Sequence, residues 1–302
     1  MNMKISGRTL PPSQAGFSLL ELVIVVAILT IVMAVVFNGV NLVTQRSQAE
    51  QVKVDLVQEG REFVDEFERD LHQAGYPNCR MVATAGATNC PADGTNTNVV
   101  TNPLVAAGLV SVSNTQVVFE GDVDGSGSVS QVWYRLVDSA GAYPPAGTCP
   151  CTIQRAQIVK TATTNSSLPP TAPASTAFSQ ELQNVVNSGV PTGTAQYGNG
   201  LTISGTTAWG ALNNTYYAAI SSFKDYPVFQ AYDQNGLIIQ LPQDLNTAAG
   251  SALLNCSATS TNCVKSIRLT INLLANGITG IDSKTNVRPV ITLVGDARLV
   301  NN

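Results

Sequence analysis

The stretch from Gly16 to Phe37, GFSLLELVIVVAILTIVMAVVF, is almost wholly apolar, and between Leu22 and Phe37 only Thr30 is polar. As a helix it is long enough to cross the roughly 30 Å of a bilayer's hydrocarbon. Lys4 and Arg8 precede it, with no acid among residues 1–16. These cations hold the N-terminus on the cytoplasmic side. A secretory signal places its apolar stretch before a small-residue cleavage site; here Gly16 comes first and the apolar run follows. An uncleaved signal anchor is the plainest account, but Glu21 argues against it. An acid at the centre of a lipid-facing helix costs roughly 2.5–3.5 kcal/mol, and such residues are usually functional with a nearby partner. Near a helix end the cost is smaller, yet the carboxylate still seeks a cation. Cleavage after Gly16 would create one, the amine of Phe17, four residues away on the same helix face.

The segment GFSLLELVIVVAILTI resembles the prepilin-type cleavage and methylation motif of type IV pilins and type II secretion pseudopilins. Gly16, the aromatic Phe17, Glu21 at the fifth mature position and the unbroken apolar helix all match it. The resemblance implies cleavage between Gly16 and Phe17 by prepilin peptidase, and N-methylation of Phe17. It also implies that Glu21 docks the subunit into a growing filament of other major and minor pilins, built on an inner-membrane assembly platform. Residues 1–16 are then a leader peptide.

The helix continues beyond the apolar run. Val52, Leu56, Phe63, Phe67, Leu71 and Ala74 recur at helical spacing, with acids and bases between them, an amphipathic stripe that lies on a core. No proline occurs between residues 17 and 76; Gly39 and Gly60 are the expected soft points, and Gly75 followed by Tyr76-Pro77 is the stop. The spacing predicts one helix over 17–75, with 17–43 in the membrane or filament core and 44–75 an amphipathic stem. EFVDEFERDLHQAGYP (62–77) is similar to the stem end of PilW-like minor pilins, and RPVITLVGDARLVNN (288–302) looks like the last strands of that group. On their own, Arg69 and Asp70 read as a solvated or domain-contacting face.

From residue 76 to 302 short apolar runs alternate with glycine, asparagine and proline. TQVVFEGD and VSQVWYRLVD read as two strands joined around Asp122–Ser128, and CTIQRAQIVK as a third. Asn235-Gly236 marks a hairpin within 227–241; CVKSIRLTINLL and RPVITLVGDARLV are further strands. A short helix is expected at Gln180–Asn187. The Ser/Thr/Pro-rich stretch 161–177 reads as a surface loop that can divide the head into two lobes. The expected fold is α+β: a long N-terminal helix, membrane-spanning in its first half, whose second half packs on a mainly antiparallel β-sheet head.

The six cysteines are Cys79, Cys90, Cys149, Cys151, Cys256 and Cys263. An even count in a region facing the periplasm favours disulfides. Spacing suggests Cys79–Cys90 and Cys256–Cys263 as local clips. Cys149-Pro-Cys151 would make a tight pair, so either cysteine can pair elsewhere. Zinc is the alternative, but there is no C-x-x-C and the sole histidine, His72, lies on the stem. In EGDVDGSGSVSQ (120–131), Asp122, Asp124 and Ser126 fall at positions one, three and five of a calcium-type loop, with Gly127 at six. Position twelve is Trp133, where that loop has a bidentate acid. A hairpin turn satisfied by Asp and Gly is the competing account. No cofactor is expected, with calcium at this loop as the alternative.

One histidine excludes a histidine-dependent triad in the head, and no phosphate-loop, nucleophile-elbow or dinucleotide motif occurs in its required context. A pI near 5.0 and a net charge of −4 provide no basic surface for nucleic acid. The chain is expected to be a non-enzyme. The resemblance implies a structural subunit, a PilW-type minor pilin that helps start or cap a type IV pilus. Its head would lie in the periplasm while a single helix spans the inner membrane, and the subunit would then move to an extracellular pilus, at its tip. The alternatives are a minor pseudopilin of type II secretion and a pilus-tip adhesin or binding module.

Overall fold

The stem stripe decides how the head is built. The computed structural model describes residues 18–78, 81, 102–145, 150–161, 172–187, 227–254, 262–275 and 290–300. The chain divides into two units, Met1–Ala49 and Glu50–Asn302. Helix α1, Leu19–His72, begins in the first and ends in the second.

In the second unit, Leu56, Phe63, Phe67, Leu71 and Ala74 are all buried, the last three completely. Only Val52, at the start of the expected stripe, is half-exposed. Each large side chain removed from water in this way contributes about 1.5–3 kcal/mol. Phe67 lies edge-on to Tyr134, with ring centroids 5.2 Å apart, and 5.5 Å from Phe229. Phe63 meets Tyr134 edge-on at 5.9 Å.

Gly60 is not a soft point. It is buried on the packed face, and a Cβ there would overlap Leu293 Cδ1 and crowd Leu273. The missing side chain lets the helix approach the sheet. From the other side Gly295 serves the same contact, since a Cβ on it would run into Val64 and Glu68. The helix stops where expected. Gly75 takes φ 79°, and its N–H donates to Glu120 O at 2.8 Å. Ala74 forms an isolated bridge with Gly121, so the helix end is bonded directly to a strand.

The described strands are β1 (Leu109–Val112), β2 (Gln116–Gly121), β3 (Ser130–Val137), β4 (Cys151–Val159), β5 (Ser179–Val185), β6 (Phe229–Tyr232), β7 (Ile238–Ile239), β8 (Gln243–Asp244), β9 (Ser266–Leu274) and β10 (Val290–Arg298). A single-turn 3-10 helix, Ser175–Ala177, precedes β5, and helix α2, Ala248–Leu254, follows β8. The strands form one sheet in the order β7-β6-β9-β5-β4-β3-β2-β1-β8, with β10 also on β9, and every pairing is antiparallel. β9 pairs with β10 along its whole length on one side. On its other side it meets β6 over Ser266–Leu269 and β5 at Leu273. β3, buried at every position, runs through the centre.

The expected α+β fold is present, with one correction to its elements. Gln180–Asn187 is not helical. Residues Ser179–Val185 form β5, because Leu182 and Val185 find buried places opposite Ile153 and Cys151 of β4. Sheet pairing overrides a modest local preference for helix, and a register shift absorbs the irregularity that includes Asn184 at φ 61°. β4 and β5, on either side of the 161–177 stretch, are neighbours in the sheet.

Two polar clusters cross the core. Asp70, on the last turn of α1, is 2% exposed while its neighbour Arg69 faces solvent. Its Oδ2 accepts from Tyr134 OH at 2.7 Å and Arg155 Nε at 2.9 Å, and Arg155 Nη2 approaches it at 2.8 Å. Burial, reinforced by the Asp70 carboxylate, holds the Tyr134 hydroxyl far above its ordinary value. Burial pulls Arg155 down, but Tyr134 and Asp70 more than offset this, so it sits above its ordinary value. In the second cluster Lys160 Nζ meets Glu120 Oε2 at 2.6 Å and donates to Val105 O at 2.7 Å, with both side chains fully buried. Burial pushes the Lys160 ammonium below its ordinary value against the pull of Glu120.

Candidate functional site

The first unit's described part is helix alone. Its first bond is Leu22 N to Ser18 O at 3.1 Å, which places Glu21 in the first turn of α1. There the unsatisfied N–H groups at the helix start favour a negative charge. Glu21 is exposed, as is every large apolar side chain from Leu22 to Val43. Thr30, the polar interruption, donates to Val26 O at 2.7 Å and reaches Ala27 O at 3.0 Å. Thr44 does the same to Val40 O at 2.9 Å. Both hydroxyls therefore satisfy themselves on their own helix, as a lipid-exposed segment requires. The helix is long and apolar enough to cross a membrane. Its one formal charge within the apolar run is Glu21. Gly16 and Phe17, the expected cleavage pair, lie outside the described residues.

Of the expected cysteine pairs, Cys79, Cys90, Cys149 and Cys256 also lie outside the described residues. Cys151 on β4 and Cys263 before β9 are buried, and neither is a free thiol.

Asp122, Asp124 and Ser126 stand together in the β2–β3 connection. Asp122 Oδ2 accepts from Gly127 N at 3.0 Å, Asp124 Oδ1 from Ser126 N at 3.0 Å, and Ser126 Oγ from Ser128 N at 3.2 Å. Gly125 and Gly127 take φ of 67° and 80°, the left-handed region in which glycine carries no penalty. The turn reading of this loop is thus realised in its hydrogen bonds. Hydrogen bonds from the Ser126 side chain and backbone keep the Asp124 carboxyl below its ordinary value. No group of three or more His, Cys, Asp or Glu side chains able to hold a metal occurs among the described residues.

Sequence reasoning did not single out the Asp70–Tyr134–Arg155 cluster as buried. Asp70 sits in a run of charges beside exposed Arg69. The usable signal was its place four residues before Ala74 and three after Phe67, on the stripe's own face.

Compared with known proteins, the chain matches the family model of the prokaryotic N-terminal methylation motif over residues 11–37. No curated protein matches it, and no solved structure does. The matched segment contains Gly16, Phe17 and Glu21 and runs into the exposed apolar half of α1. Such a motif implies processing by prepilin peptidase and anchoring in a membrane before assembly. By that segment the chain is similar to type IV pilin-like and pseudopilin proteins.

Proposed function

We propose that this chain is a minor pilin that helps start or cap a type IV pilus. The observation that carries the reading is the union, in one chain, of a methylation-motif helix and a broad head built on a ten-stranded sheet. Lateral bulk suits a terminal position, because a densely packed shaft leaves little room between neighbouring heads. On this reading prepilin peptidase cuts between Gly16 and Phe17, Phe17 is methylated, and Glu21 docks the subunit among other pilins on the assembly platform. The head passes from the periplasm to the outside of the cell. The chain performs no catalysis and binds no nucleic acid. The test is deletion of the gene, scoring surface pili against enzyme secretion. Loss of pili with secretion intact supports the reading. Loss of secretion with pili intact identifies a pseudopilin instead, and normal pili with lost attachment identifies an adhesin.

The cysteines belong to the same reading, since a head outside the cytoplasm is oxidised. Mass mapping of the unreduced head should find no free thiol, with Cys79 linked to Cys90 and Cys256 to Cys263. Each clip stabilises by roughly 2–3 kcal/mol through loop entropy. Free thiols at all six positions would place the head in a reducing compartment.

A further inference from the structure

We propose that the Asp122–Ser128 loop is a calcium site. The turn hydrogen bonds alone would not say so. The deciding observation is Asp122: the residue is 8% exposed, and its carboxylate points into the loop, where Oδ2 accepts from Gly127 N. The other oxygen, Oδ1, is sealed from solvent and has no hydrogen-bond partner among the described residues. A buried carboxylate oxygen without a donor is costly, and a turn held only by its own N–H groups does not need one. A cation in the loop resolves it.

The neighbouring oxygens are disposed to share that cation. Each of the three side chains spends one acceptor position on a loop N–H and keeps further lone pairs. Asp124 Oδ2 has a long, 3.4 Å contact from Gln157 Nε2. No described ion pair engages Asp122 or Asp124: Arg155 turns to Asp70 and Lys160 to Glu120. Two carboxylates and a hydroxyl are hard oxygen donors on a glycine-hinged loop, which suits calcium better than zinc or a rigid magnesium octahedron. Trp133 at position twelve supplies no bidentate acid, so the remaining ligands are water or main-chain carbonyls and the affinity is weak, on the order of 10⁻⁴–10⁻³ M. The loop also adjoins the helix end. Asp122 N donates to Tyr76 O at 2.8 Å, and Gly121 bridges Ala74. A bound ion therefore braces the β2–β3 connection where it meets the end of α1.

The processed full-length chain, purified in detergent and stripped with EDTA, is titrated with calcium chloride by calorimetry and melted with and without about 10 mM calcium, well above the expected dissociation constant. The site should take one calcium ion per chain in the weak range above. The melting midpoint should rise with calcium by mass action and far less with magnesium. Asp124→Asn retains an oxygen for Ser126 N but loses a charge. It should melt like the wild type in EDTA and bind calcium at least about tenfold more weakly. Because Asp124 is exposed, this variant avoids the folding defect that Asp122→Ala risks. Absence of saturable binding and of any calcium-dependent shift in the wild type overturns the site. So does undiminished binding in Asp124→Asn.

Discussion

Glu21→Ala should remove the protein from sheared filaments while leaving it in the membrane fraction with its leader cleaved. Insertion should survive because the change makes the apolar run of α1 more apolar. Cleavage should survive because Gly16 and the basic leader are untouched. Assembly should fail, because on the reading proposed above the carboxylate pairs with the free amine of Phe17, its own or that of an adjacent subunit. Glu21 is exposed in the isolated chain and lies in the first helical turn. Among packed helices that exposure is lost, and a charge taken out of water is tolerable only when paired. The comparison requires three readings on variant and wild type: membrane fraction, intact mass and filament content. Intact mass should also show methylated Phe17 as the first residue in both. A variant that enters filaments normally would break the charge-pair account without touching the assignment of the N-terminal motif.

Asp70→Ala should destabilise the head by about 3–5 kcal/mol, the range for removing one partner of a buried ion pair. The carboxylate is 2% exposed and Arg155 is 16% exposed in its side chain, so little water is at hand to replace the contact. The substitution leaves the Arg155 guanidinium and the Tyr134 hydroxyl in the core without the acceptor they share. Tyr134→Phe removes one donor and keeps the ion pair, so its cost should be nearer 1 kcal/mol. Urea unfolding of the full chain, followed by near-ultraviolet circular dichroism, reports both. Glu66 is a secondary partner of Arg155 at 3.7 Å. Burial, with Glu181 nearby, raises its carboxyl above the ordinary value, and at that distance it makes the weaker contact with the guanidinium. An Asp70→Ala cost below about 1 kcal/mol would mean that water reaches the cluster, as for a surface pair.

The sequence by itself determined what period and chemistry can encode. The apolar run, the acid at its start and the glycine before it mark the N-terminal segment, because a membrane-length helix with one carboxylate has few other uses. The stripe from Leu56 to Ala74 located the buried face of the stem, because 3.6-residue spacing projects those side chains to one side. Alternation and turn residues placed β2, β3, β4, β9, β10 and the Asn235-Gly236 hairpin. The tertiary structure decided everything that depends on a partner distant in the chain. The 179–185 segment is a strand only because β4 and β9 offer it bonds and buried places. Gly60 looked like a weak point and is a close approach, since the Leu273 and Leu293 side chains that forbid a Cβ come from far along the chain. Helical spacing puts Asp70 and not Arg69 on the stripe's face, but its burial as a carboxylate depends on Tyr134 and Arg155 converging on it from β3 and β4. In the Asp122 loop the residue types were legible, but an oxygen sealed from solvent and left without a donor is a property of packing, which only the folded chain defines.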